Sequence, residues 1–131
     1  MQLKTTTEYA VRMMIYLART QRMTAAAEIA KQAEIPQNYL VTITRYMRNA
    51  GLITASSGSK GGYRLRKKAS EITLYDILIC MEGTLKINRC LEREEAGRCT
   101  AGQCRLQACY QQLQQQIEAY LTGVTLESLL P

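Results

Sequence analysis

Four cysteines stand close together as Cys90-x8-Cys99-x4-Cys104-x4-Cys109, in a segment that also holds Gly97, Thr100, Gly102 and the cations Arg98 and Arg105. Up to Cys104 the segment has neither helical nor strand periodicity, which marks a loop shaped by what it wraps. The chain's start, MQLKTTTEYA, has no apolar core or cleavage site of a secretion signal, so a reducing, cytoplasmic setting is expected. There, clustered cysteines bind metal or do redox chemistry more often than they form disulfides. Three chemistries are open. Structural zinc favours knuckles separated by two to four residues, and the wide first gap suits it poorly. Iron–sulfur clusters accept thiolates from longer, irregular loops. Thiols acting directly would make a redox switch that follows disulfide state. The chain contains no His, so a fourth ligand beside three thiolates is a thiolate, a carboxylate or an exogenous group.

The elements that would carry this loop divide by charge. Residues 1–70 hold twelve Lys and Arg against Glu8, Glu28 and Glu34, whereas residues 71–131 hold five against eight acidic residues. A basic first half suits a polyanion, DNA foremost. A length of 131 residues suits one domain with an appendage. No apolar run approaches the roughly eighteen residues of a membrane span, so no membrane partner is expected.

A first helix is expected from Thr5, with Thr5 and Glu8 as a capping box and Ala10, Met13, Met14 and Leu17 forming one apolar face. Thr24 is expected to cap a short helix to about Gln32. Ala33–Ile35 then makes a turn, Pro36 takes a first helical position, and a second helix runs to about Asn49 before Gly51. Two short helices joined this way form a helix-turn-helix. Ile29, Leu40, Ile43 and Met47 supply its core, leaving Gln37, Asn38, Tyr39, Val41, Thr42, Arg45 and Arg48 outward. Gln and Asn can pair with adenine and Val or Thr can touch a thymine methyl, so the first turns read bases while Arg45 and Arg48 meet phosphates. Leu52–Thr54 and Tyr63–Leu65 read as strands around a Ser/Gly loop, a β-hairpin wing. Its Ser57, Lys60 and Gly61 are candidate DNA contacts, the glycines permitting close approach to the duplex.

Thr73 and Asp76 form a second capping box ahead of Leu74, Ile77, Leu78 and Met81, and Cys80 in this apolar stretch reads as a buried structural thiol. From about Cys104 to Leu121 a long Gln-rich helix carries Leu106, Tyr110, Leu113, Ile117 and Tyr120 at heptad-like spacing. Pairing with a second copy is the economical use of that seam, packing on the first helix the alternative. Cys109, beside the seam, reads as a core thiol. The fold class is therefore mainly α: a winged helix-turn-helix over residues 1–82, a cysteine-rich cluster-binding loop over 83–104, and a dimerisation helix with tail over 105–131. No His, no Ser or Cys beside a base and no glycine-rich phosphate loop before a helix speak against an enzyme.

The stretches MQLKTTTEYAVRMMIYLA, IPQNYLVTITRYMRNAGLI and GSKGGYRL, a three-cysteine loop ending CRL, and the closing TLESLL resemble, in that order and over nearly the whole chain, the IscR/NsrR-type family of iron–sulfur winged-helix transcriptional regulators. The resemblance implies a homodimer on a pseudo-palindromic operator in double-stranded DNA. It would act as a repressor whose affinity follows a 4Fe-4S or 2Fe-2S iron–sulfur cluster responding to nitric oxide, redox state or iron–sulfur status. Carried over by position, Cys90, Cys99 and Cys104 match the cysteine ligands. Glu8 lies where the nitric-oxide-sensing branch places a carboxylate from the partner subunit, which implies it as fourth ligand. Gln107 replaces the His ligand of the iron–sulfur-assembly branch, the first cysteine gap is longer than usual, and Ser57 replaces an Arg often inserted in the minor groove, with Lys60 the nearest substitute. Read from its neighbours alone, Glu8 pairs with Thr5 and Arg12.

Overall fold

A computed structural model describes residues 2–87 and 103–131, with side chains from Arg105 onward in the second stretch. Helix α1 spans Thr5–Thr20 and buries Ala10, Met13, Met14 and Leu17, the face its spacing marks out. The expected capping box at its start is absent: Lys4 is the N-cap, with no side-chain cap, and the Glu8 carboxylate turns forward to Arg12 instead, at 3.0 Å. A distant residue does the capping. The Glu82 carboxylate accepts from the Lys4 N–H and from the Thr7 hydroxyl, both at 3.1 Å, placing negative charge at the positive end of the helix.

Helices α2 (Ala26–Gln32) and α3 (Gln37–Asn49) are joined by a tight turn in which Glu34 adopts φ 54° and the Ile35 N–H reaches the Ala30 carbonyl at 2.9 Å. Ile29, Ile35, Leu40, Ile43 and Met47 close the core between them and α1. Pro36 is the residue before α3, one position earlier than expected. Thr24 does not cap α2, whose N-cap is Ala25. It is buried, and its backbone exchanges two hydrogen bonds with Tyr63, at 2.8 and 2.9 Å.

Strands β1 (Ile53–Ser56) and β2 (Gly62–Leu65) pair antiparallel in the register Ile53↔Leu65 to Ser56↔Gly62. The Thr24 bridge fastens this wing to the chain before α2. A 3-10 turn at Ala69–Glu71 leads into α4 (Leu74–Glu82), where the Thr73–Asp76 capping box is present in both directions, at 3.0 and 3.1 Å.

Helix α5 (Gln103–Gly123) packs on α4. The tail then returns to the base of α4: the Leu74 N–H meets the Val124 carbonyl at 2.7 Å, the Leu126 N–H meets Ile72 at 2.9 Å, and Leu126 is fully buried. The α5 seam is not absorbed by the single chain: Leu106, Leu113 and Tyr120 are 51%, 47% and 72% exposed. Cys109, expected in a core, is exposed beside that seam. Cys80 is half-buried, its thiol donating to the Tyr46 carbonyl at 3.3 Å.

Candidate nucleic-acid interface and cysteine site

Helix α3 buries one stripe and offers the other. Leu40, Ile43, Thr44 and Met47 face inward, while Gln37, Asn38, Tyr39, Val41, Arg45 and Arg48 are exposed and Thr42 is half-buried. Val41, at 71% exposed, is an apolar side chain on an otherwise polar face, the kind of group that meets a thymine methyl in a major groove. Tyr39 is more constrained than its neighbours. Its ring lies against Tyr9 of α1, centroids 5.5 Å apart, and Arg12 sits over the Tyr9 ring at 5.4 Å. The Arg45 guanidinium lies 6.0 Å from the Tyr46 ring, and neither Arg45 nor Arg48 enters an ion pair among the described residues.

Beside α3 the wing tip exposes Ser57 and Lys60, with Gly61 half-buried. The expected reason for the glycines is incomplete. A Cβ on Gly61 would lie 2.2 Å from the Ser56 carbonyl oxygen, and one on Gly62, at φ 147°, would lie 2.1 Å from the Thr24 carbonyl oxygen. Both are required by the protein's own backbone, whatever else the wing approaches.

An α1–α2 tie holds the helix-turn-helix from behind. Tyr16 donates to Glu28 at 2.6 Å and Arg22 pairs with the same oxygen at 2.7 Å. The hydrogen bond to Glu28 raises the Tyr16 pKa, and the bonds from Arg22 and Tyr16 hold the Glu28 carboxyl below its ordinary range.

Of the cysteines expected as ligands, Cys90 and Cys99 lie outside the described residues, and Cys104 falls in the first turn of α5 with its side chain outside them. Glu8, the expected fourth ligand, is 64% exposed. It borders a cleft of about 480 Å³ whose apolar wall is Leu3, Val11, Leu74 and Leu78. The segment leading to the cysteines is held by a residue that the sequence marks only as one of a Gln-rich helix. Gln114 is buried; its amide donates to the Leu85 carbonyl and accepts from the Ile87 N–H, both at 2.9 Å. Lys86 adds an ion pair with Glu118 at 3.1 Å. Within the Gln run of α5, position 114 stands apart only by spacing: it is four residues from Tyr110 and three from Ile117, on the α4-facing side. Cys80, by contrast, has its pKa raised by burial, which makes it a poor nucleophile.

A family description, Rrf2: iron-dependent transcriptional regulator, matches residues 3–131. The chain belongs to the Rrf2 family. It is a transcriptional regulator of the DNA-binding kind and not an enzyme. Among its relatives, protein aau3 of Rhizobium meliloti (strain 1021) is 31% identical across 99% of this chain and 85% of its own. The HTH-type transcriptional regulator NsrR of Shouchella clausii is 30% identical across 92% and 80%. The crystal structure of the oxidized form of CymR from Staphylococcus aureus superposes with a TM-score of 0.73 at 30% identity, covering 98% of this chain and 95% of that one. Rrf2 membership agrees with the winged helix and with the mainly helical architecture seen here. No helix among the described residues is long and apolar enough to cross a membrane.

Proposed function

We infer that this Rrf2 protein is a homodimeric repressor whose affinity for a pseudo-palindromic operator is set by an iron–sulfur cluster. The supporting observation for DNA reading is the α3 face: Gln37, Asn38 and Val41 exposed at the start of the helix, Arg45 and Arg48 further along, and Lys60 on the adjoining wing. In this reading the first three contact base edges, with Tyr39 and Thr42 flanking them, and the three cations neutralise phosphates. Ser57 and Gly61 bring the wing backbone to the minor groove.

The donor set fits an iron–sulfur group. Cys90, Cys99 and Cys104 offer thiolates at irregular spacing, the chain lacks His, and the exposed Glu8 carboxylate is engaged, among the described residues, by one ion pair, with Arg12, which a metal would displace. Exposed i, i+4 pairs of this kind are worth only about 0.3–0.5 kcal/mol. When bound, the cluster would supply redox- and nitric-oxide-sensitive iron bonds to these side chains. The chain's own residues do the positioning: Gln114 and the Lys86–Glu118 pair fasten the entry to the cysteine loop onto α5, and the exposed α5 seam supplies the second-copy interface. A dimer built there sets two copies of α3 about 34 Å apart, one turn of duplex. The division of labour is then DNA reading by residues 1–82, ligation by 83–104 and dimerisation by 105–131, with Cys104 supplied from the first turn of α5.

A second reading is a cluster-free thiol switch. It draws support from the exposed Cys109 and from the likeness to oxidized CymR. Anaerobic operator titrations of wild type and Cys99→Ala, each with and without nitric oxide or oxidant, separate the two. The cluster reading expects loss of response in Cys99→Ala; a response equal to wild type ends it.

A further inference from the structure

Behind the wing, where β2 leaves the hairpin and passes the end of α1, lies a groove of about 400 Å³. Its floor includes Leu17 and Leu65, and its rim carries Arg64, Arg66, Lys67 and Lys68. All four cations are exposed, and the ion pairs among the described residues use Arg12, Arg22 and Lys86 but none of these four. Arg64 stands opposite the exposed Thr54 in the hairpin register. Side chains alternate along a strand, so Arg64 and Arg66 share the solvent face while Leu65 turns to the core. The Arg66 N–H is fixed to the Leu52 carbonyl at 3.0 Å, and its guanidinium lies beside Gly51, 3.6 Å from where a Cβ would stand.

Four like charges within five residues repel one another in the free protein, and no carboxylate among the described residues forms an ion pair with them. A partner that brings several negative charges to one line does. We propose that this groove is a second phosphate-binding surface, separate from the base-reading face of α3, and that its occupant is the sugar–phosphate backbone of DNA flanking the sequence read by α3. The inference rests on the DNA-binding reading above, and two observations favour duplex backbone as the source. The basic track continues along the chain from Lys60 at the wing tip, and residues 1–70 carry nine more positive than negative charges.

The test uses the full chain carrying Arg64→Gln, Lys67→Gln and Lys68→Gln together, compared with Gln37→Ala on α3. Each phosphate contact contributes about 0.9 to the slope of log affinity against log salt, so the triple variant should lose about 2.7 from that slope. Its preference for operator over unrelated DNA should stay within about twofold of wild type, because phosphate contacts carry no sequence information. Gln37→Ala should do the reverse, lowering preference and leaving the slope. The measurement is made on cluster-free and cluster-loaded protein alike, so failure of the cluster reading leaves it interpretable. Inorganic pyrophosphate serves as the second arm, read as a rise in the melting temperature of DNA-free protein. A slope unchanged by the triple substitution overturns DNA as the occupant, even if the variant loses the pyrophosphate effect. If neither readout changes, the groove binds no phosphate at all. Should the triple variant melt abnormally, Lys67→Gln alone, with an expected slope loss of about 0.9, takes its place.

Discussion

Replacing Gln114 with Leu keeps the volume of a buried side chain and removes its polar end. In wild type that end pairs with two backbone groups of the segment that precedes the cysteines, the Leu85 carbonyl and the Ile87 N–H, each at 2.9 Å. Leu85 is buried and Ile87 half-buried, so water replaces these bonds incompletely. A buried group left without a partner costs about 1–3 kcal/mol, which puts Gln114→Leu at roughly 2–4 kcal/mol, a large share of the 5–15 kcal/mol typical of a folded domain. The Lys86–Glu118 pair survives and, being partly exposed, offsets about 1 kcal/mol at most. Gln114→Glu is the informative companion. When ionised it can still accept from Ile87 but cannot donate to Leu85, and it sets a carboxylate against Glu118, which the wild-type amide meets at 3.2 Å. That environment raises the new carboxyl's pKa in the folded state. The proton is then bound more tightly in the native than in the unfolded chain, so the variant recovers stability as pH falls and loses it as pH rises through the folded value. Urea denaturation gives the free energies, and amide exchange at Ile87 reports the local opening. A Gln114→Leu cost below about 0.5 kcal/mol, with Ile87 still protected, would refute the clamp; that threshold is the usual spread of surface substitutions.

Three other outcomes follow from the same geometry. Gly62→Ala forces a Cβ to within 2.1 Å of the Thr24 carbonyl oxygen at φ 147°; it should cost at least about 2 kcal/mol and break the Thr24–Tyr63 bridge, seen as lost amide protection at Tyr63 in exchange experiments. Leu113→Glu puts charge in the exposed α5 seam and should leave the monomer folded while raising the dimer dissociation constant at least tenfold, about 1.4 kcal/mol, by analytical ultracentrifugation; unchanged self-association would place the interface elsewhere. The Tyr16–Glu28–Arg22 tie has a lowered carboxyl pKa and a raised phenol pKa. Its contribution is therefore present between the ordinary values of 4.5 and 10.0. It is lost below the first, as pH falls through the folded value of Glu28, and above the second, as pH rises through that of Tyr16. Glu28→Gln should flatten the acid limb of the stability–pH curve.

Local pattern made the first half of the chain legible. The apolar spacing of α1 and α3, the Gly51 stop and the Thr73–Asp76 box are set by residues three or four apart, and each stands where the sequence places it. The misses share a cause. Glu82 caps α1 from 75 and more residues away, and with that carboxylate in place Thr5 and Glu8 have no capping to do. Thr24 gives up its helix-capping role because the wing strand needs a backbone partner, a pairing visible only once β2 folds back. Gln114 is one glutamine among several in a Gln-rich helix; its burial depends on where residues 85–87 cross α5. The glycines of the wing suggest close approach to a duplex, whereas at Gly61 and Gly62 the chain's own carbonyls already demand them. Cys90 and Cys99 lie outside the described residues, so their expected ligand role rests on the chemistry and spacing of the sequence.

The most direct measurement of the central claim is iron and sulfide analysis, with a visible spectrum, of protein purified without oxygen and then titrated against its operator before and after cluster loss. Stoichiometric iron and sulfide per chain, absorbance that disappears with Cys99→Ala, and operator affinity that changes by five- to 150-fold between the two states, a coupling of about 1–3 kcal/mol, are the expected results. Colourless, iron-free protein that binds its operator with unchanged affinity under nitric oxide, oxidant and iron depletion would contradict it.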